Sequence, residues 1–78
     1  MMRWLIMKEY WEILRELRED RDLMQADIAS VLQTTQQVYS RYEKGVNEIP
    51  LYRLKKLCEF YQVSADYILG LSKEMSIR

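Results

Sequence analysis

The chain has 78 residues, with 12 basic and 12 acidic side chains, no histidine and a single cysteine. A chain this short forms one small core with one functional surface, which excludes an enzyme with separate cofactor and substrate domains. Histidine is the commonest general base and metal ligand, and the lone Cys58 excludes an internal disulfide and a cysteine metal cluster. We therefore expect no catalytic residue, no metal, no cofactor and no small-molecule ligand.

The sequence gives no sign of a membrane protein. Equal numbers of acids and bases leave no polybasic segment for a lipid surface. The most apolar stretch near the start, residues 4–7, is too short to cross a bilayer and lacks the cleavage site of a signal peptide. A lone cysteine also fits a reducing compartment. We expect a cytoplasmic protein.

Helical periodicity runs through most of the chain. Tyr10, Leu14 and Leu17 recur at intervals of four and three residues, which predicts a first helix that ends near Asp20. A charged turn follows, and a second helix is predicted to begin near Gln25. Alternating strand patterns are absent from the sequence, so the fold class is predicted to be all-α.

Caps and helix-ending residues divide the second half of the chain. The Thr35 hydroxyl can cap a third helix, which Gly45 ends. Pro50 suits the first position of a fourth helix. Ser64 is predicted to cap a short fifth helix that Gly70 ends.

These elements predict one domain over residues 1–78, with an extension at 1–8 and a loose tail at 71–78. Within it, residues 25–45 have the order helix, short turn, helix. That order is the helix-turn-helix arrangement, whose second helix can enter a DNA major groove.

The third helix has two distinct faces. At about 100° per residue from Gln36, the side chains of residues 36, 37, 40, 41 and 44 fall within an arc of about 140°. This arc contains glutamine, serine, arginine and lysine but no carboxylate, whereas Val38, Tyr39 and Tyr42 occupy the opposite side. Glutamine and arginine can each make paired hydrogen bonds to base edges. The same polar arc is also ordinary for any solvated helix, so periodicity alone leaves both interpretations open.

The chain resembles the Cro/repressor-type helix-turn-helix family of bacterial and phage regulators over residues 17–69. The resemblance implies a compact five-helix, lambda-repressor-like DNA-binding domain. The residues that carry it are Leu17-Arg18, Gln25-Ala26, Ile28-Ala29, Leu32, Thr34-Thr35-Gln36-Gln37, Ser40-Arg41-Tyr42-Glu43-Lys44-Gly45, Ile49-Pro50-Leu51, Val63-Ser64 and Asp66-Tyr67-Ile68-Leu69-Gly70.

The resemblance also implies roles for individual residues. Gln25 is similar to the glutamine that contacts a phosphate and braces the recognition helix. The resemblance implies contacts to DNA bases for one group of residues, and backbone or side-chain contacts to DNA phosphates for another. The first group is Gln36 and Gln37, on a face that also contains Ser40; the second is Thr35, Lys44, Gly45 and Asn47. Arg41, one turn further along the third helix, is similar to a base or phosphate contact of the family.

Other positions follow or depart from the family pattern. Arg18 and Glu43 occupy the places where many relatives have an ion pair between the first and third helices. Met24 replaces the usual capping Ser or Thr, which removes about 1 kcal/mol of helix stabilisation. Asp22 and Gln33 stand where relatives often have glycine. A left-handed backbone at either of them would cost about 1 kcal/mol.

The charge balance bears on assembly. Between residues 25 and 53 there are three basic and three acidic side chains, so one subunit would neutralise few phosphates. Specific binding would then need two subunits on half-sites about 34 Å apart. We therefore expect a homodimer on double-stranded DNA. Two apolar groups could form its interface: Trp4, Leu5, Ile6, Met7 and Trp11, or Tyr61, Tyr67, Leu69 and Leu71. The first group could instead lengthen the first helix and cover the core.

Two functions from different classes remain open. The first is a sequence-specific transcriptional regulator, a repressor that binds a pseudo-palindromic operator as a dimer. The second is a protein-interaction module that kept the fold and lost DNA binding, which the neutral charge and Met24 favour. An enzyme is not expected, because no metalloprotease motif, glycine-rich phosphate loop or nucleophile-base pair occurs in the sequence.

Overall fold

A computed structural model describes residues 8–75, and within that range the chain forms helices and no strand. The predicted all-α fold class is confirmed. The residues of the N-terminal extension before Lys8, including the apolar group at 4–7, lie outside the described residues, as do 76–78. Between residues 8 and 75 the five helices are α1 (Tyr10–Asp20), α2 (Gln25–Val31), α3 (Gln36–Glu43), α4 (Leu51–Tyr61) and α5 (Ala65–Ile68).

Side-chain caps fix where α3 and α5 begin. The Thr35 hydroxyl accepts a hydrogen bond from the Val38 N–H at 3.2 Å, and the Ser64 hydroxyl accepts one from the Tyr67 N–H at 3.0 Å. Both predicted caps are confirmed. Pro50 is the N-cap of α4 rather than its first residue, one position earlier than predicted.

At the start of α2, a carboxylate makes up for a capping residue that has no hydroxyl. Met24 occupies the N-cap position without a capping hydroxyl, as the sequence indicates. The Asp27 carboxylate instead accepts a hydrogen bond from the Met24 N–H at 2.7 Å. The carboxylate also lies in the first turn of α2, where the helix dipole favours negative charge.

The helix ends share one geometry. After each helix a residue adopts a left-handed backbone, and the next N–H bonds a carbonyl five residues back, which satisfies carbonyls that the helix leaves open. Asp22 and Gln33 are the positions where relatives often have glycine, and Gly45 and Gly70 are the predicted helix ends. The left-handed backbone of Gln62 was not predicted. The φ angles are 56° at Asp22, 57° at Gln33, 74° at Gly45, 59° at Gln62 and 81° at Gly70.

The core lies at the centre of the five helices, and each helix contributes to it. Leu14, Ile28, Tyr39, Leu57 and Ile68 come from α1 to α5 in turn, and all are fully buried. Since α3 buries Tyr39, its opposite side faces outward. The core therefore sets the orientation of α3, and with it the surface on which a function can be built.

The described part of the tail turns back onto α5. The Ser64 N–H donates to the Met75 carbonyl at 2.8 Å, and the Ser64 hydroxyl donates to the Glu74 carbonyl at 3.3 Å. Glu74 and Met75, in the tail predicted to be loose, thus have a hydrogen-bond partner at the start of α5.

Candidate nucleic-acid interface

A turn fixed by hydrogen bonds joins α2 to α3. The left-handed Gln33 reverses the chain, and the Thr34 N–H donates to the Ala29 carbonyl at 2.9 Å. The Thr35 cap then starts α3 at once. Ile28 and Ala29 of α2 are buried in the same core as Tyr39 of α3. The two helices therefore form one unit in which α3 has little freedom to turn about its axis.

The outer face of α3 gathers five of the eight predicted site residues. Gln36, Gln37, Arg41 and Lys44 are exposed, and Ser40 is half-buried. All five line one open surface depression of about 510 Å³. The structure thus brings together the side chains that the helical arc predicts to share a face.

The other three site residues surround this face. Gln25, in the first turn of α2, is half-buried, and its Nε2 donates to Glu43 Oε1 at 3.1 Å. Thr35 is exposed at the start of α3. Asn47 is exposed beyond the end of α3, and its backbone N–H donates to the Arg41 carbonyl at 3.3 Å. The side-chain amide of Asn47 is then the group left for an outside partner.

The Gly45 backbone is less suited to the phosphate contact that the resemblance implies. Its N–H donates to the Tyr42 carbonyl at 3.1 Å as part of the end of α3. An N–H already engaged in this way cannot also make a strong hydrogen bond to a phosphate.

Glu43, the carboxylate of α3, is withdrawn from the outer face. Arg18 Nε and Nη2 donate to its two oxygens at 2.7 and 3.0 Å, a bidentate arrangement. The remaining guanidinium nitrogen, Nη1, donates to the Leu23 carbonyl at 2.9 Å. The side chains of Arg18 and Glu43 are only 12% and 2% exposed. The ion pair implied by the resemblance is present, and it links α1 to α3.

The surroundings of Glu43 keep it ionised. Burial by itself raises the pKa of the Glu43 carboxyl, but hydrogen bonds from Arg18 and Gln25 outweigh this effect and hold that pKa below its ordinary value of 4.5. The hydrogen bond to Glu43 in turn raises the pKa of Arg18. The two charges are therefore satisfied inside the protein, and the outer face of α3 is left with Arg41 and Lys44 as its charged groups.

Sequence reasoning missed contacts that join distant parts of the chain to this region. The Tyr42 hydroxyl, on the buried side of α3, accepts a hydrogen bond from Arg53 Nη1 at 2.8 Å. Tyr10 and Trp11, at the start of α1, contact the loop that follows α3. Periodicity marks Tyr10 and Trp11 as parts of an apolar helix face, and no local signal shows which loop they meet.

Two further classes of site receive no support from the described residues. Between residues 8 and 75, no group of three or more His, Cys, Asp or Glu side chains is placed to hold a metal ion. No helix in that part of the chain is both long and apolar enough to cross a membrane.

Comparison with known proteins decides the family. A helix-turn-helix family matches residues 14–68. The chain belongs to the Cro/repressor-type helix-turn-helix family. This family consists of DNA-binding transcriptional regulators and not of enzymes, so the expectation that the chain is not an enzyme is confirmed.

Two relatives of this helix-turn-helix protein illustrate the match. YobD of Bacillus subtilis (strain 168), an uncharacterized HTH-type transcriptional regulator, is 35% identical over 65 residues, which cover 83% of this chain and 58% of YobD. The cryptic phage CTXphi transcriptional repressor RstR of Vibrio cholerae is 38% identical over 50 residues, which cover 64% of this chain and 45% of RstR. The chain thus spans about half the length of these curated relatives. No solved structure matches it significantly.

The Arg18–Glu43 pair should make folding sensitive to acid. A carboxyl whose pKa is lowered in the folded state contributes stability above its unfolded pKa, and this contribution is lost as pH falls through the folded pKa. We expect Glu43→Gln to lower the free energy of unfolding at pH 7 by about 3 kcal/mol, because Arg18 keeps its charge and loses the carboxylate. The difference between the two proteins should shrink steadily as the pH is lowered below 4.5.

Urea denaturation at pH 7, 5, 4 and 3 measures this difference. Glu59→Gln, which removes an exposed carboxylate from α4, is the matched control and should change little at any pH. Stability curves for Glu43→Gln and the unmodified protein that stay parallel over the whole range would show that the pair does not carry the acid sensitivity.

Proposed function

We propose that the chain is a sequence-specific DNA-binding transcriptional regulator whose α3 enters the major groove. The observation that carries the proposal is the burial of Glu43 against Arg18, which leaves the outer face of α3 neutral or positive. A carboxylate on that face would repel the phosphate backbone. In a chain with equal numbers of acids and bases, this local absence gives α3 the electrostatic character that DNA requires.

We assign base contacts to Gln36, Gln37 and Arg41. Their side chains are exposed within the first six residues of α3, the part of a recognition helix that approaches base edges in helix-turn-helix complexes. Glutamine can pair with adenine N6 and N7, and arginine with guanine O6 and N7. Ser40, half-buried between them, has a hydroxyl that suits several bases.

We assign phosphate contacts to the residues around this face. The Thr35 hydroxyl uses its oxygen to cap α3, so its proton remains available for a phosphate oxygen. Gln25 uses one amide proton on Glu43 and retains a second. Lys44 and the Asn47 side chain lie at the other end of α3 and can contact a phosphate there. These contacts would hold residues 25–45, the helix-turn-helix unit, in register on the duplex.

Arg41 and Lys44 should differ in what they contribute. Loss of a base contact relaxes the preference for one operator position by about 1–3 kcal/mol, whereas loss of a phosphate contact weakens all sequences about equally. We expect Arg41→Ala to lower affinity for a selected duplex more than for a random one, and Lys44→Ala to lower both by the same factor. Fluorescence anisotropy at two salt concentrations measures both affinities.

Lys73→Ala, which removes an exposed cation from the tail, is the control for Lys44→Ala and should leave binding unchanged. Equal effects of Arg41→Ala and Lys44→Ala on both duplexes would contradict the assigned roles. Absence of DNA binding by the unmodified protein at low salt would overturn the proposal and favour a protein-interaction module.

One observation favours that second function. An open groove of about 620 Å³ lies between α4 and α5, with Leu54, Cys58, Val63 and Ala65 among its lining residues. Leu51 at its edge is 80% exposed. A mainly apolar groove of this kind can accept side chains of a protein partner.

We further propose that the regulator is a repressor that binds a pseudo-palindromic operator as a homodimer. RstR is by name a transcriptional repressor, which supports repression rather than activation. The three cations between residues 25 and 53 are few for one subunit, and a second subunit doubles the phosphate contacts. Such a protein would repress transcription by occupying a promoter. It would act in the compartment that contains the DNA, which is the cytoplasm in a bacterial cell.

The exposed end of α5 is the dimer surface that the described residues favour. Leu69 and Leu71 are exposed and Tyr67 is half-buried, but Tyr61 is only 3% exposed and belongs to the core. The expectation that Tyr61 contributes to a dimer surface was therefore wrong, because α4 turns it inward. A Cβ on Gly70 would lie 3.4 Å from the Lys8 carbonyl, so the backbone of Lys8 lies beside this same surface.

Dimer formation predicts cooperative binding to two half-sites. We expect Leu71→Glu, at a side chain 71% exposed, to abolish cooperativity on a two-half-site duplex without lowering the melting temperature. Leu51→Glu, at a similarly exposed leucine beside the α4–α5 groove, is the matched control. Sedimentation of the protein–DNA complex gives the stoichiometry, and a saturated complex with one subunit per duplex would contradict the dimer.

A further inference from the structure

The loop between α3 and α4, residues 44–50, is tied to the first turn of α1 at two points. One tie is a ring packed against a glycine, and the other is a hydrogen bond to a tyrosine hydroxyl. The two residues responsible are Tyr10 and Trp11, which we call the aromatic clamp. They are adjacent in the chain, and their rings meet edge to face with centroids 5.3 Å apart.

Trp11 holds the start of the loop. Gly45 has a φ of 74°, and a Cβ built on it would lie 2.6 to 2.9 Å from three indole carbons of Trp11. Atoms of that kind cannot approach so closely, so the indole occupies the space that any other residue at position 45 would need. Gly45 thus serves two purposes: it adopts the left-handed backbone that ends α3, and it admits the Trp11 ring.

Tyr10 holds the end of the loop. Its hydroxyl oxygen accepts a hydrogen bond from the Ile49 N–H at 3.1 Å. Both Tyr10 and Ile49 are half-buried and pack against the core, so the hydrogen bond connects the loop to the body of the protein. The loop residues between the two ties, 46–48, are exposed.

The same loop is connected to the recognition helix. The N–H groups of Val46 and Asn47 both donate to the Arg41 carbonyl, at 3.0 and 3.3 Å. The two ties hold the loop at both ends, and they therefore fix the position of the two proposed phosphate-contacting residues in it, Lys44 and Asn47. A loop that is ordered before binding loses less conformational entropy when its side chains contact a ligand.

We propose that Tyr10 and Trp11 are positioning residues for DNA binding, because they fix the α3–α4 loop so that Lys44 and Asn47 meet the phosphate backbone in a preset geometry. The inference rests on the proposed function, and it extends the DNA-binding machinery to two residues of α1 that face the loop rather than the duplex. Since phosphate contacts carry no sequence information, the clamp raises affinity for every duplex alike and leaves base preference unchanged.

Tyr10→Phe tests the proposal without opening the core, because it removes only the hydroxyl that accepts the Ile49 N–H. We expect amide exchange at Ile49, Val46 and Asn47 to accelerate. Affinity for random and selected duplexes should fall by the same factor, about three- to tenfold. Tyr61→Phe, which removes a hydroxyl from the buried side of α4, is the matched control and should leave loop exchange and affinity unchanged. All affinities are measured well below the melting temperature of each protein.

Three results would overturn the inference while the proposed function stands. The first is a Tyr10→Phe protein that binds both duplexes as tightly as the unmodified protein. The second is an affinity loss that matches only a reduced folded fraction. The third is a change in the ratio of the two affinities, which would assign the hydroxyl to base selection instead. Failure of the unmodified protein to bind either duplex at low salt overturns the proposed function, and the inference with it.

A second pair of variants tests the contact between the Trp11 ring and Gly45. Gly45→Ala forces a Cβ against the indole, and Trp11→Leu removes the ring that it meets. If the clamp acts through this contact, each single variant binds DNA more weakly, and the double variant loses no more affinity than the weaker of the two single variants. A double variant whose loss equals the product of the two single losses would contradict the role of Trp11.

Discussion

The Arg18–Glu43 ion pair is the interaction on which the rest of the structure depends. It joins α1 to α3 through two hydrogen bonds to the carboxylate, and Gln25 of α2 donates to that same carboxylate. Three helices therefore meet at one side chain. A buried ion pair is not in itself a strong source of stability, since desolvation offsets much of the attraction, but removal of one partner is costly. Its consequence here is orientation: α3 has one rotation about its axis that keeps Glu43 satisfied.

That orientation separates α3 into two faces with different tasks. Tyr39 and Tyr42 enter the core, while the glutamines and cations of α3 face outward. Because Glu43 lies at the boundary between the faces, its burial decides whether the outer face carries a negative charge. The aromatic clamp of Tyr10 and Trp11 then holds the loop at the far end of α3. Structural and functional constraints thus converge on the same short helix.

The sequence predicts most features that arise from local interactions. Apolar periodicity gives α1 and its end at Asp20, and a hydroxyl cap gives the start of α3 at Thr35, because both depend on residues within one or two turns. The polar face of α3 follows from the same periodicity. The Arg18–Glu43 pair was available only through resemblance to relatives, since its partners are 25 residues apart.

Features that depend on distant packing were not predictable. Gln62 has a left-handed backbone because α4 must turn sharply into α5, yet glutamine gives no local sign of this. Tyr61 is an aromatic residue of a type enriched at protein interfaces, but its side chain is buried in the core. The contacts of Tyr10 with Ile49 and of Trp11 with Gly45 bring together residues more than 30 positions apart.

A carboxylate introduced on the outer face of α3 tests most directly whether this face meets the duplex. Gln37→Glu changes an exposed amide into a carboxylate of the same shape and leaves the core untouched. If this face meets the duplex, Gln37→Glu lowers the affinity for any duplex by about tenfold or more at low salt, with an unchanged melting temperature, while Gln62→Glu on the exposed end of α4 has little effect on affinity. A Gln37→Glu protein that binds DNA as tightly as the unmodified chain would contradict the claim that the outer face of α3 meets the duplex.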